Sequence, residues 1–180
     1  SRGLGDVYKR QAVITGASSG IGEATAKAFS AAGYPTLLLA RRLERMEALS
    51  LPNSMCRQVD VRNRDELVAA IREAEAEYGP TDMIFNNAGV ARLADIGTQP
   101  PEDWDEMIAI NTNGVMNGVY AVMGQMKERR TGTIVNMSSI AGRKVYDDHT
   151  VYCGTKYFVH AISEGIRAYL SPHNVRVIVM

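Results

Sequence analysis

The sequence has little cysteine, no long apolar run and no excess of either charge. Only Cys56 and Cys153 occur among 180 residues, and two cysteines without partners at metal-ligand spacing are typical of reduced thiols in a cytoplasmic protein. No apolar stretch approaches the roughly 18 residues of a membrane span. The three histidines have no His, Cys or Glu neighbours in a zinc-like pattern. We therefore expect a cytoplasmic protein without a metal site and without a membrane partner.

The balance of charge also argues against a nucleic-acid partner. Lysine and arginine together number 20, as do aspartate and glutamate, so no strong basic field would attract phosphate backbones. Apolar residues make up 46% of the chain and charged residues 22%, which is ordinary for a globular protein. The length suffices for one domain with one sizeable core.

The two ends of the sequence differ in character from what lies between them. Residues 1–11 (SRGLGDVYKRQ) have no helical or strand period, meet an apolar run without a turn signal, and resemble translated adaptor sequence. We expect them to be a non-native leader to a single domain over 12–180. The chain ends within the apolar segment 175–180, which is typical of a buried strand. We therefore expect the domain to be incomplete at its C-terminus.

Apolar strand patterns alternate with amphipathic helical patterns along the chain. Strands are predicted at 12–15, 36–40, 55–60, 83–86, 133–137 and 175–180. Helices are predicted at 20–32, 42–49, from the capping residue Asn63 to about Tyr78, after Pro101 to before Gly132, and at 151–170. This alternation predicts an α/β fold with a parallel sheet between two layers of helices. Ligands of such sheets bind at the carboxyl ends of the strands.

The first predicted strand runs into a glycine-rich turn, TGASSGIG at 15–22. Glycines permit a tight turn and leave room for a phosphate, and the helix that follows offers unpaired N–H groups. The spacing G-x-x-x-G-x-G differs from the common G-x-G-x-x-G pattern. A glycine turn can also serve only to reverse the chain, but the strand before it and the helix after it favour a nucleotide site.

The residues at the end of the second predicted strand indicate which dinucleotide the site would bind. Dinucleotide folds that use NAD have an acidic residue there, bonded to a ribose hydroxyl, whereas this sequence has Arg41 and Arg42. Guanidinium groups suit a 2′-phosphate by charge and by geometry, which favours NADP(H). The alternative is a pair of solvated arginines, but cations are unfavourable near a helix N-terminus.

Tyr152 and Lys156 are separated by one helical turn, so they share a helix face. An ammonium group beside a tyrosine stabilises the phenolate, which suits the hydroxyl to acid–base chemistry near neutral pH. Of eight tyrosines, only Tyr152 has a lysine four residues later. The alternative interpretation is an exposed surface pair.

Other polar residues follow predicted strands, where a ligand would lie. Ser138 and Ser139 end the fifth strand, and the segment NNAG at 86–89 ends the fourth. Asn111 lies within the long helical region, where asparagine is unfavourable without a specific role.

In order and spacing, these segments resemble the classical short-chain dehydrogenase/reductase family. The matching segments are TGASSGIG at 15–22, Arg41-Arg42, Asp60, NNAG at 86–89, Asn111, Ser138-Ser139 and YCGTK at 152–156. The resemblance covers 12–180 and implies a Rossmann fold. It also implies a doubly wound sheet of strand order 3-2-1-4-5-6, with the family's seventh strand missing here.

The resemblance also implies roles for individual residues. Tyr152 matches the acid–base, Lys156 the lysine that holds the nicotinamide ribose, and Asn111 an asparagine that holds a water in a proton relay. The family's catalytic serine stands thirteen residues before the tyrosine, which selects Ser139 over Ser138. The residues that match cofactor-binding positions are Gly16, Ser18, Ser19, Gly20, Ile21, Gly22, Arg41, Arg42, Asp60, Val61, Asn86, Ala88, Gly89, Tyr152 and Lys156.

The implied activity is hydride transfer between NADP(H) and a small-molecule carbonyl or alcohol. The family's substrate-covering loop is absent, and the polar segment 142–150 favours a small or polar substrate. The resemblance implies a homodimer or homotetramer formed through the helices around 104–127 and 151–170. The alternatives are an NADP(H) sensor without catalysis, which would not need Ser139, Tyr152 and Lys156 together, and a fragment inactive by itself because of its exposed sheet edge.

Overall fold

The computed structural model describes residues 10–180, and its centre is a parallel sheet of six strands. All neighbouring strands are parallel, in the order β3-β2-β1-β4-β5-β6, which confirms the predicted fold class and strand order. The strands are β1 (Gln11–Thr15), β2 (Thr36–Ala40), β3 (Ser54–Gln58), β4 (Thr81–Asn86), β5 (Thr133–Asn136) and β6 (Arg176–Val179).

Helices cover both faces of this sheet. They are α1 (Gly20–Ala31), α2 (Leu43–Glu47), α3 (Arg64–Tyr78), α4 (Pro101–Ile108), α5 (Val115–Arg129) and α6 (Thr150–Leu170). Val13 and Leu37 pack in one buried cluster with side chains of α3, α5 and α6. Ile14 and Leu38, the next residue along each strand, pack in a second cluster with α1 and α2. Because β1 and β2 are buried on both faces, they have continuous apolar runs.

The local signals that predicted the helix ends act as expected. Gly33, directly after the last turn of α1, has a φ of 81°, a left-handed conformation that glycine adopts readily. Asn63 caps α3, because its side chain accepts a hydrogen bond from Glu66 N. The predicted apolar face of α3 is buried, at Leu67, Ala70, Ile71 and Ala74.

Some boundaries differ from the sequence prediction. β1 begins at Gln11, a fully buried residue paired with Thr81 that the prediction assigned to the leader. The rest of that leader, 1–9, lies outside the described residues. β3 ends two residues early, so Asp60 belongs to the loop at the carboxyl end of the sheet. The long helical region contains a π-helical segment, Ala109–Gly114, between α4 and α5.

None of the helices within 10–180 combines the length and apolar character needed to cross a bilayer.

Candidate active site and cofactor groove

The carboxyl ends of β1 to β4 border a groove of about 450 Å³. The groove lies where the strand order reverses, between β1 and β4, which is the usual ligand position in a doubly wound sheet. It is lined by Gly16, Ser18, Ser19, Ile21, Ala40, Arg41, Arg42, Val59, Asp60, Val61, Asn87, Ala88, Gly89, Val90 and Ile110. Most of the predicted cofactor-binding residues are therefore brought together here.

The glycines of the first loop have separate roles. Gly16 has a φ of 68°, and a Cβ added to it would lie 2.9 Å from Ala88 Cα. Gly20 also has a positive φ, but an added Cβ would meet open space. At Gly22 an added Cβ would overlap the Gly16 carbonyl oxygen. Gly16 and Gly22 thus permit close packing, and Gly20 permits the turn into α1.

The N-terminus of α1 fits an anionic group. Its N-cap residue, Ser19, makes no side-chain capping hydrogen bond, so the first-turn N–H groups are not occupied by that hydroxyl. Unpaired N–H groups and the helix dipole favour negative charge at this position. The open space beside Gly20 leaves room for a phosphate. The loop therefore fits the pyrophosphate of a dinucleotide.

Hydrogen bonds hold the loop after β4 against this glycine loop. Thr15 Oγ1 accepts from Asn87 N and Ala88 N, both at 3.0 Å. The Asn87 side chain donates to the Thr15 carbonyl oxygen at 3.1 Å. Asn87 lines the groove but was not among the predicted cofactor-binding residues. Alternation of side chains at the end of β4 predicts that Asn86 and Asn87 point to opposite sides, but the register of β4 is needed to tell which one faces the groove.

The side chain of Asn86 does not face the groove, which corrects the prediction for that residue. Asn86 is buried, and its amide donates to Asn136 Oδ1 at 2.8 Å. The amide of Asn136 donates in turn to Ser163 Oγ at 2.9 Å. These bonds connect β4 and β5 to α6. Asn86 is therefore a core residue that joins the sheet to the helix of Tyr152.

The two arginines after β2 differ in their contacts. Arg42 donates to Ser18 Oγ from Nη2 and Nε, at 3.0 and 3.3 Å, and to Ser19 Oγ at 2.9 Å. It therefore joins the end of β2 to the glycine loop. Arg41 is exposed in the groove, and its guanidinium makes no hydrogen bond or ion pair with any residue of 10–180. It is a cation available to a ligand.

Asp60 is the carboxylate of the groove lining, and Arg62 binds it. Arg62 donates to Asp60 from Nη2 at 2.6 Å, and from Nε and its backbone N at 3.0 Å. The side-chain hydrogen bonds from Arg62 lower the pKa of Asp60, although partial burial opposes this. The charge of Arg41 also lowers this pKa, so Arg41 acts electrostatically on the same carboxylate.

Lys156 connects the groove to the predicted catalytic tyrosine. Its Nζ lies 5.6 Å from the centroid of the Tyr152 ring and donates to the Met137 carbonyl oxygen at 3.0 Å. A Cβ added to the groove residue Gly89 would lie 3.8 Å from Nζ. Lys156 is only 6% exposed, and burial lowers its pKa to about 8. The amine is therefore still mostly protonated at neutral pH.

The two serines after β5 have different partners. The Ser138 hydroxyl donates to the Lys156 carbonyl oxygen at 3.1 Å, so its proton is used to hold α6. The Ser139 oxygen accepts from Ala141 N at 3.1 Å, as the cap of a short 3₁₀ turn. That bond leaves the Ser139 proton free to donate. Geometry therefore favours Ser139 over Ser138 as a donor to a ligand.

Asn111 lies in the π-helical segment and is buried. Its Oδ1 accepts from Val90 N and its Nδ2 donates to Val90 O, both at 2.8 Å. The second amide hydrogen is donated to Thr155 Oγ1 at 3.2 Å. The side chain thus binds the loop after β4 to α6. A water at Asn111 would be held by its main-chain carbonyl or by the remaining lone pair of Oδ1.

The buried lysine should make stability depend on pH. Between pH 8 and 10.5 the unfolded chain binds more protons at Lys156 than the folded chain does, so stability rises with pH in that window. We expect the difference in free energy of unfolding, wild type minus Lys156→Met, to rise by about 3 kcal/mol from pH 7.5 to 10.5. Urea titrations at several pH values measure this difference.

Lys144→Met provides the control, because Lys144 is exposed and also lies over a tyrosine ring, that of Tyr146. Removal of this exposed ammonium should change the free energy of unfolding little. If the difference in free energy of unfolding between wild type and Lys156→Met did not change with pH, this would contradict the lowered pKa of Lys156.

Comparison of the sequence with known proteins identifies a family whose members it resembles over the whole described region. Residues 10–180 match the family model described as short chain dehydrogenase. An uncharacterized oxidoreductase of Staphylococcus saprophyticus is 39% identical over 168 residues, which are 91% of this chain and 68% of that protein.

Solved structures give the same result. A short-chain dehydrogenase from Streptomyces avermitilis superposes with a TM-score of 0.91 at 28% identity, over 97% of this chain and 65% of its own. A closed form of serine dehydrogenase complexed with NADP+ has a TM-score of 0.90 at 34% identity, over 94% and 70% respectively. The chain thus spans about two thirds of the length of these proteins. The chain belongs to the short-chain dehydrogenase family.

Proposed function

We propose that the protein transfers hydride between NADP(H) and a small-molecule carbonyl or alcohol, with Tyr152 as the general acid and base. The observation that carries the proposal is the position of Lys156. The buried Lys156 ammonium lies 5.6 Å from the Tyr152 ring centroid and near the groove residue Gly89. A group bound in the groove beside Gly89 would therefore lie close to both Lys156 and Tyr152.

The roles of the residues follow from their free hydrogen-bonding groups. When bound, the nicotinamide supplies or accepts the hydride. Ser139 donates a hydrogen bond to the carbonyl oxygen of the substrate, and Tyr152 donates the proton in reduction or accepts it in oxidation. The Lys156 ammonium stabilises the phenolate that remains. Asn111 holds Val90 and Thr155 in position, and we assign it the water of a relay to Lys156.

Substitution of the proposed acid–base tests catalysis. Tyr152→Phe should lower the rate by roughly 10²- to 10⁴-fold, because phenylalanine has no hydroxyl with which to transfer the proton. Ser139→Ala should lower it by a similar factor, since an anion-stabilising donor is lost. The measurement is NADPH absorbance with a panel of aldehydes, ketones and hydroxy acids.

Two neighbouring variants serve as controls. Tyr157→Phe, on the exposed side of α6, and Ser138→Ala, whose proton is used on α6, should retain more activity than the catalytic variants. Tight NADPH binding without turnover of any panel member would favour a sensor instead. Full activity of Tyr152→Phe would rule out the proposed mechanism.

The cofactor preference is proposed from Arg41 and Arg42. Loss of charge-assisted hydrogen bonds to a 2′-phosphate should weaken NADPH binding by roughly tenfold or more in Arg41→Ala and in Arg42→Ala. NADH, which lacks that phosphate, should bind almost as before in Arg41→Ala. Arg42→Ala also removes the bonds to Ser18 and Ser19 of the glycine loop, so it should weaken NADH binding as well. Arg45→Ala, an exposed arginine of α2 outside the groove, is the control. If the wild type binds NADH more tightly than NADPH, the assignment is wrong.

A polar substrate is supported by the segment before Tyr152. The His149 ring lies 6.4 Å from the Tyr152 ring, centroid to centroid, and its Nδ1 is 2.5 Å from Asp148 Oδ1. A hydrogen-bonding imidazole near the ring of the proposed acid–base suits a small substrate with a second polar group. The hydroxy acids of the panel test this class directly.

We also propose that the protein is a cytoplasmic homodimer or homotetramer. Its described cysteines are both free thiols, and Ile108 on α4 with Met116 and Tyr120 on α5 are exposed apolar residues of the kind that subunit contacts bury. Met116→Lys/Tyr120→Lys should shift the protein toward monomer in sedimentation experiments, whereas Gln125→Lys should not. A monomeric wild type would refute the assembly.

A further inference from the structure

Asp60 presents an electrostatic problem for a groove that is to bind a phosphate. It lines the same groove as Arg41 and Arg42, and the charge of Arg41 reaches its carboxylate. An unpartnered carboxylate there would repel a 2′-phosphate and would also compete with it for Arg41. Either effect would reduce the advantage of NADP(H) over NAD(H).

Arg62 removes this competition in the structure. Its Nε lies 3.0 Å from both carboxylate oxygens of Asp60, and its Nη2 lies 2.6 Å from Oδ2. The backbone N of Arg62 adds a third donor at 3.0 Å. With Asp60 occupied in this way, the Arg41 guanidinium makes no hydrogen bond or ion pair with any described residue, Asp60 included.

We propose that Arg62 determines cofactor specificity indirectly, by binding Asp60 so that Arg41 stays free for the 2′-phosphate. The inference rests on the proposed use of NADP(H). Arg62 needs no contact with the cofactor, and its effect should require the Asp60 charge. This dependence on Asp60 separates the proposal from a direct role of Arg62 in phosphate binding.

A double-mutant cycle tests the proposal. Dissociation constants of NADPH and NADH are measured by fluorescence titration of wild type, Arg62→Ala, Asp60→Asn and the double variant. Arg62→Ala should weaken NADPH binding roughly three- to tenfold, as expected for partly exposed charges, and should change NADH binding less than twofold. In the Asp60→Asn background, Arg62→Ala should leave the ratio of the two constants unchanged.

Arg57→Ala is the matched control. Arg57 forms a similar exposed pair with Glu73, with two side-chain hydrogen bonds, but neither residue lines the groove. Its removal should leave both constants unchanged. Because Arg62 is exposed and Arg57 is half exposed, their variants should fold, and circular dichroism verifies this.

The possible outcomes separate this inference from the proposed function. If wild type prefers NADPH but Arg62→Ala keeps the same preference, only the role of Arg62 is wrong. Equal weakening of both cofactors, or a loss that persists in the Asp60→Asn background, likewise contradicts it, because Arg62 would then act directly or by positioning the loop. If wild type does not prefer NADPH, both proposals fail.

Discussion

The close contact between the loops after β1 and β4 is the constraint on which the groove depends. The Thr15 hydroxyl oxygen accepts two amide hydrogens from the loop after β4, and Gly16 allows Ala88 to approach because it has no Cβ. Any larger residue at Gly16 would meet Ala88 at 2.9 Å and would also strain a φ of 68°. The Thr15 hydroxyl and the absence of a side chain at Gly16 therefore fix the two sides of the groove relative to each other.

The same contact extends to the proposed catalytic residues through a short series of hydrogen-bonded neighbours. Gly89 and Val90 follow Ala88, and the Asn111 amide pairs with both main-chain groups of Val90. Asn111 also bonds Thr155, the residue before Lys156. The π-helical segment holds Asn111 at the position where these bonds meet, and such segments are common at functional sites. The spacing between groove and lysine is thus set by buried hydrogen bonds.

Sequence patterns predicted the fold and most of the groove because these features depend on local rules. β2 and the apolar face of α3 agree with the prediction, since burial on both faces or on one face leaves a clear periodicity. Predicted positions failed where two adjacent residues of similar chemistry point to opposite sides. Asn86 and Asn87 are such a pair, and only the register of β4 against its neighbours distinguishes them.

Individual polar contacts and the π-helical segment could not be predicted from the sequence either. Asp60 and Arg62 are two residues apart in the sequence. This spacing alone does not predict an ion pair, which forms because the chain turns after β3. The π-helical segment leaves no recognisable period in the sequence. Arg42 bonds Ser18 across 24 residues because β2 lies beside β1. Contacts of this kind follow from the sheet topology, so they become visible only after the fold is known.

Charge pairing explains how a chain with no net charge can present a site for an anion. The groove lining contains two arginines and one carboxylate, and that carboxylate is occupied by an arginine from outside the lining. Beyond Gly89, next to Tyr152, the buried Lys156 ammonium donates to the neutral carbonyl of Met137 and has no carboxylate partner among its hydrogen bonds. Each cation of the site is therefore neutralised less completely than the arginines paired on the surface. Because Coulomb interactions weaken with distance, the charges of Arg41 and Arg42 would act on a phosphate bound beside them more strongly than the overall balance of 20 against 20 suggests.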